Sequence, residues 1–185
     1  MTKKIIISLV LIAAVALGVL YGKGLLSVHQ SLTPPATLSA LVLEKQPQPA
    51  PKVSFVDAAG TRHALDSLRG RYVLLNLWAT WCGPCVNELP ALARLAHFTP
   101  GLRVLAVNWK EKPAEIEAFL KSHNAGTLPT FVDDTGEVMK GLKAFGLPMT
   151  VLIDPKGNII ARAAGPAEWD APESVAYFKR VAQGS

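Results

Sequence analysis

The sequence predicts one α/β domain built on a mixed β-sheet with helices on both faces, preceded by an apolar membrane segment and a linker. Three observations carry this expectation. Two near-continuous apolar runs of strand length, Tyr72–Trp78 and Leu102–Trp109, have the composition of strands covered on both faces. Segments of helical period follow each of them. Asp154-Pro155-Lys156-Gly157-Asn158, set between two further apolar runs, is a hairpin signal that closes the sheet with antiparallel strands.

The elements follow in order. Val53–Val56 and Thr61–Ala64 flank the turn Asp57-Ala58-Ala59-Gly60 and predict an N-terminal β-hairpin. Ser67–Gly70 is a loop, and Tyr72–Trp78 is the central strand. From Cys82 or Pro84 to Phe98 the apolar Leu89, Leu92, Leu95 and Ala96 recur at helical spacing. After strand Leu102–Trp109, Pro113–His123 starts on a proline and puts Ile116, Phe119 and Leu120 on one face, as a helix does. Thr130–Val132 reads as a short strand and Val138–Phe145 as a helix. Thr150–Ile153 and Ile159–Ala163 are the arms of the closing hairpin, and Pro172–Ala182 is the last helix.

The N-terminus has a different character. Lys3 and Lys4 precede an uncharged run from Ile5 to Tyr21, which is about 17 residues and the minimum for a membrane-spanning helix. The lysines put residues 1–4 in the cytoplasm and everything beyond the anchor outside it, on the periplasmic side of the inner membrane. The alternative is a cleaved signal peptide, with Ala14-Val15-Ala16 as the small-x-small site and a soluble periplasmic product. Residues 22–51, with Pro34-Pro35 and Pro47-Gln48-Pro49-Ala50-Pro51, read as an extended linker, and 52–185 as the folded domain. The formal net charge is +5, and residues 1–49 supply three of those charges with four lysines against Glu44. No basic block is interleaved with aromatics, so nucleic acid is excluded as a partner.

The two cysteines carry the chemistry. Trp78-Ala79-Thr80-Trp81-Cys82-Gly83-Pro84-Cys85 falls where the central strand hands over to a helix. A cysteine at a helix N-terminus faces unpaired N–H groups and the positive end of the helix dipole. Both favour the thiolate, the species that attacks disulfides. Cys85 lies one turn further, placed to attack a mixed disulfide on Cys82 and release the product. Gly83 and Pro84 permit the tight turn, and Trp78 and Trp81 would shield the site and offer an apolar docking surface. The competing readings are two inert buried thiols, a structural disulfide and a metal site. A bridge closing so short a loop is a poor staple. A metal site would need histidines, and His29, His63, His97 and His123 are scattered along the chain.

The same motif, with Glu88-Leu89-Pro90 and Gly146-Leu147-Pro148-Met149-Thr150-Val151-Leu152-Ile153-Asp154, resembles the TlpA-like branch of the thioredoxins from Val53 onward. The resemblance implies a thioredoxin fold with an insertion of about 25 residues near 113–140. It implies a thiol–disulfide oxidoreductase, without cofactor or metal, that reduces disulfides in client proteins such as apocytochromes c or copper proteins. Electrons would come from a membrane-embedded thiol donor, and the protein would act as a monomer. The resemblance makes Pro148 the candidate for a cis-proline beside the cysteines, with Leu147 offering backbone to a bound peptide alongside Trp81, Gly83 and Pro84. Pro129 competes, since it also follows a leucine and stands in a Leu-Pro-Thr context, but only Pro148 leads into the hairpin. Pro90 should kink the first helix. Glu88, three residues after Cys85 on one helix face, becomes the candidate proton carrier for the cysteine pair. Asn76 stands six residues before Cys82, where thioredoxin itself has a buried Asp. An amide cannot take a proton, so that duty falls to Glu88. A disulfide-forming oxidase or isomerase, and a copper-binding chaperone module using both thiolates, are the alternative functions.

Overall fold

The computed structural model describes residues 33–184. Its elements are a 3₁₀ turn (Ala36–Leu38), β1 (Leu41–Pro49), β2 (Ser54–Asp57), β3 (Arg62–Ala64), a second 3₁₀ turn (Leu65–Leu68), β4 (Tyr72–Trp78), α1 (Gly83–Phe98), β5 (Leu102–Trp109), α2 (Pro113–Ser122), β6 (Thr130–Asp133), α3 (Glu137–Gly141), β7 (Met149–Ile153), β8 (Asn158–Ala164) and α4 (Pro172–Ala182). The strands form one sheet in the order β1-β8-β7-β4-β5-β6-β2-β3. Strands β4, β5 and β6 are parallel to their neighbours in that series, and the other pairings are antiparallel. This is the mixed sheet that the run of elements predicted, with the predicted N-terminal hairpin at one edge.

The central strand explains why its sequence is apolar throughout. From Val73 to Trp78 every residue of β4 is buried. Val73, Leu75 and Leu77 join Val107, Val151, Ile159 and, from the region of α3, Val138 and Leu142 in one core cluster. The alternate residues face the other way, as strand geometry requires. There Asn76 meets Glu88 of α1 and the Trp78 ring meets Phe119 of α2.

Two expectations need correction. The segment 22–51 is not a linker throughout, because Pro34–Gly184 form one compact unit and β1 is an edge strand of the sheet. Leu41–Leu43 pair with Ala161–Ala163 of β8, the register shifts between Leu43 and Gln48, and Gln48–Pro49 pair with Asn158–Ile159. Prolines are tolerated there because an edge strand leaves one row of backbone groups unpaired and a bulge needs no regular donor. The helix expected at Val138–Phe145 ends at Gly141. Lys143 takes a left-handed φ of 54°, which no helix continues through, and Phe145 projects into solvent, 96% exposed. Helix α1, in contrast, runs on through Pro90.

The apolar run Ile5–Tyr21, the cleavage site at Ala14–Ala16 and the first part of the linker lie outside the described residues. Among the described residues, no helix is long and apolar enough to cross a membrane.

Candidate active site

Cys82 is the N-cap of α1, with extended backbone (φ −90°, ψ 95°). Its sulfur accepts the N–H of Cys85 at 3.3 Å, and its carbonyl accepts the N–H of Val86 at 3.1 Å. The two cysteines form a disulfide with Cα atoms 5.3 Å apart. Cys82 is the outer member, 6% exposed, and Cys85 is fully buried. Pro84 sits in the first turn, where a missing N–H costs nothing. Gly83 and Pro84 are exposed over the bridge, and a Cβ on Gly83 would meet nothing within 4 Å.

Trp81 is 65% exposed beside Cys82, its ring edge-on to Trp109 with centroids 6.0 Å apart. Trp78 does not share the docking role expected of it. It points into the core, is completely buried and tilts against Phe119 at 5.9 Å. Among the described residues the cis peptide is Leu147–Pro148; Pro129 is trans. Strand β7 begins directly after it, and Leu77 pairs with Met149, so the register continues to set Pro148 opposite Trp78, where β4 gives way to the cysteine loop. Pro148 is buried and Leu147 half-buried. The sheet thus brings the Leu147–Pro148 peptide and the head of α1 to one end of the molecule, though they are more than sixty residues apart in sequence.

Glu88 is buried, at 3% exposure, against the middle of the sheet. Asn76 Nδ2 donates to its Oε1 at 2.8 Å, and Trp169 Nε1 and the Ala167 N–H donate to its Oε2 at 2.7 and 3.3 Å. Asn76 Nδ2 also reaches Thr150 Oγ1 at 2.9 Å, while its Oδ1 is buried with no protein partner. Burial pushes the Glu88 carboxyl above the usual carboxylate range, and the donors from Trp169, Asn76 and Ala167 oppose it in that order. The carboxyl helps to line a groove of about 750 Å³ that runs past Pro84, Asn87 and Arg94 to the loop at Ala167–Asp170.

One further set of contacts was not legible in the sequence. The Glu111 carboxylate accepts the Thr80 N–H at 2.9 Å, the Thr80 hydroxyl, and Asn108 Nδ2 at 2.5 Å, while Asn108 Oδ1 accepts the Glu111 N–H at 3.1 Å. Glu111 therefore pins the Ala79–Trp81 loop, which carries Cys82, to the carboxyl end of β5. The only sequence cue was position, since functional groups gather past the carboxyl ends of parallel strands. Trp169 was missed as well, and a tryptophan in the polar loop Gly165–Asp170 was the cue for it.

A dithiol–disulfide pair heading a helix, laid beside a cis-proline on a mixed sheet, places the molecule in the thioredoxin-like class. Residues 47–162 match the AhpC/TSA family, and the chain belongs to it, in the TlpA-like group of thiol–disulfide oxidoreductases. The chain is 35% identical over 118 residues to the thiol–disulfide oxidoreductase ResA of Bacillus subtilis, a match that covers 63% of this chain and 65% of that one. It is 31% identical over 188 residues to the thiol:disulfide interchange protein DsbE of Escherichia coli, covering 98% of each. A solved thiol:disulfide interchange protein DsbE of Chlorobium tepidum superposes with a TM-score of 0.62 at 25% identity, covering 72% of this chain and 98% of that one.

Proposed function

We propose that this chain is an extracytoplasmic thiol–disulfide oxidoreductase that reduces disulfides in partner proteins through Cys82 and Cys85. The observation that carries the reading is the disulfide at the head of α1 with the buried acid Glu88 one turn beyond it. In the reduced enzyme the helix N-terminus favours the thiolate of Cys82, the outer member of the pair and the one with some surface open to solvent. That thiolate attacks one sulfur of a client disulfide, forming a mixed disulfide and expelling the other client sulfur as thiolate. Cys85 gives its proton to the Glu88 carboxylate and attacks Cys82 Sγ. The Cys82–Cys85 bond forms, the second client thiolate leaves, and the client has gained the two electrons that the dithiol lost.

Trp81, Gly83 and Pro84 form the rim against which a client strand lies, and Leu147 offers it backbone groups beside Pro148. The spent disulfide is reduced again by a membrane-embedded thiol donor. Lys3, Lys4 and the apolar run Ile5–Tyr21 support a cytoplasmic N-terminus and a single-pass anchor that keeps the domain near both donor and client. Cytochrome c or copper-oxidase assembly is the setting that the resemblance implies, and the names of the two relatives support the exchange chemistry.

The test is trapping. Cys85→Ser in the full chain should strand the client on Cys82 as a mixed disulfide that dithiothreitol releases. Recovery of no partner from cells in which the wild type supports reduction would sink the reading. Equilibration with glutathione fixes the direction, since an oxidase would lie well over about 60 mV above a reductant.

A further inference from the structure

We propose that Trp169 is a positioning residue of the redox site, which holds the Glu88 carboxyl in its inward pose through the indole N–H. This rests on the assignment of Glu88 as the proton partner of Cys85.

Trp169 lies between β8 and α4 in a surface loop, with Glu168 exposed before it and Asp170 half-buried after it, yet it is itself completely buried. An indole N–H buried without an acceptor is costly, and the acceptor here is Glu88 Oε2 at 2.7 Å. The loop is held independently of that contact. The Glu168 N–H donates to the Thr37 carbonyl at 3.1 Å, and the Thr37 and Ser174 hydroxyls are 2.8 Å apart. Arg94 Nε bonds Asp170 Oδ2 at 2.5 Å, and the Trp169 ring tilts against Phe178 of α4 at 6.2 Å. The loop on either side of Trp169 is thus tied to Thr37 and to Arg94, and the indole itself rests on Phe178, so the N–H is held toward the carboxyl by contacts other than the one it makes with Glu88.

The groups that face Glu88 are few. Strand β4 presents Asn76, with Thr150 of β7 behind it, and the loop presents Trp169 and the Ala167 N–H. Its own helix carries Cys85 and Arg94, and Arg94 is paired with Asp170. Glu168 is the other charged side chain on the groove. The donors, rather than a neighbouring charge, therefore offset the cost of burial, and Trp169 is the first of them. Without that donor Glu88 keeps its proton to a higher pH. It then cannot take the proton of Cys85, and the attack of Cys85 on the mixed disulfide waits.

Two replacements in the full chain test this. Trp169→Phe removes the donor, and β-(3-benzothienyl)alanine at position 169 keeps the bicyclic shape while replacing N–H by sulfur. The Glu88 carboxyl is titrated by ¹³C NMR in the oxidised protein, where the cysteines do not titrate. Both replacements should raise its midpoint by about one pH unit, a tenfold change, because a hydrogen bond to a charged group is lost. The acid limb of client reduction should rise with it, above the wild-type limb. An unmoved midpoint in the benzothienyl protein overturns the proposal, whatever Trp169→Phe does to folding. A pH–rate profile unchanged by Glu88→Gln overturns instead the assignment of Glu88, which the titration does not touch.

Discussion

Replacing Glu111 should release the cysteine loop, and the size of the effect can be worked out from its contacts. Oε2 accepts both the Thr80 N–H and Asn108 Nδ2, and Oε1 accepts the Thr80 hydroxyl. In Glu111→Ala all three donors lose their acceptor. Thr80 and Glu111 are half-buried, so water replaces part of the loss there, but Asn108 is completely buried. At about 0.5–1 kcal/mol for each half-exposed bond and more for the buried amide, the cost is about 2–3 kcal/mol. Glu111→Gln differs in kind. Its carbonyl can stand where Oε2 stands and keep both N–H donors, while its amide donates to the Thr80 hydroxyl. Only the charge is lost, so the cost should stay below about 1 kcal/mol. The assay is urea unfolding of the oxidised protein, followed by fluorescence and circular dichroism, on a fragment that begins at residue 34. Alkylation of Cys82 in the reduced form should speed up in Glu111→Ala and not in Glu111→Gln. Equal losses in the two variants would refute the geometric argument in favour of charge. A loss under about 0.5 kcal/mol in Glu111→Ala would remove the pin altogether.

Three further outcomes follow. A fragment beginning at residue 52 should be less stable than one beginning at residue 34 by at least about 3 kcal/mol, because it loses the buried Leu38 and Leu41, and the bared edge of β8 should promote association; urea midpoints and light scattering check this. The raised titration of Glu88 favours the protonated folded state, so this group's contribution is fully present below its usual range near 4.5 and is lost as pH rises through its folded value. Glu88→Gln should therefore flatten the decline of the urea midpoint above pH 4.5 and gain stability at neutral pH relative to wild type. Trp81→Ala should change stability by no more than about 1 kcal/mol, since it gives up one edge-on ring contact, yet slow client reduction by about tenfold if the exposed indole meets the client; steady-state reduction of a disulfide peptide measures it.

Much of this was legible in the chain. The strand-length apolar runs, the hairpin signal and the prolines that open helices are local devices, and the elements lie where they indicated. The edge strand β1 was not legible. Its residues Leu41–Leu43 are short and its prolines mimic a linker, and only the unpaired edge of β8 makes a strand of it. The exposed Phe145 and the early end of α3 were hidden for a similar reason, because apolar residues at helical spacing do not reveal a left-handed turn at Lys143. Of the residues proposed for the site, both cysteines and Glu88 were named from spacing and resemblance, while Trp169, Glu111 and Asn108 were passed over.

By itself the sequence determined the local unit on which the proposed chemistry rests. A Cys-Gly-Pro-Cys unit between a buried strand and a helix needs only local geometry to favour a thiolate and place a second sulfur one turn away. The tertiary structure decided what surrounds that unit. It chose Pro148 over Pro129 for the cis peptide, turned Trp78 inward and Trp81 outward, and brought Trp169 to Glu88 across 81 residues and Glu111 to Thr80 across 31. Buried polar groups must find partners wherever packing supplies them, and no local pattern records which distant donor that will be.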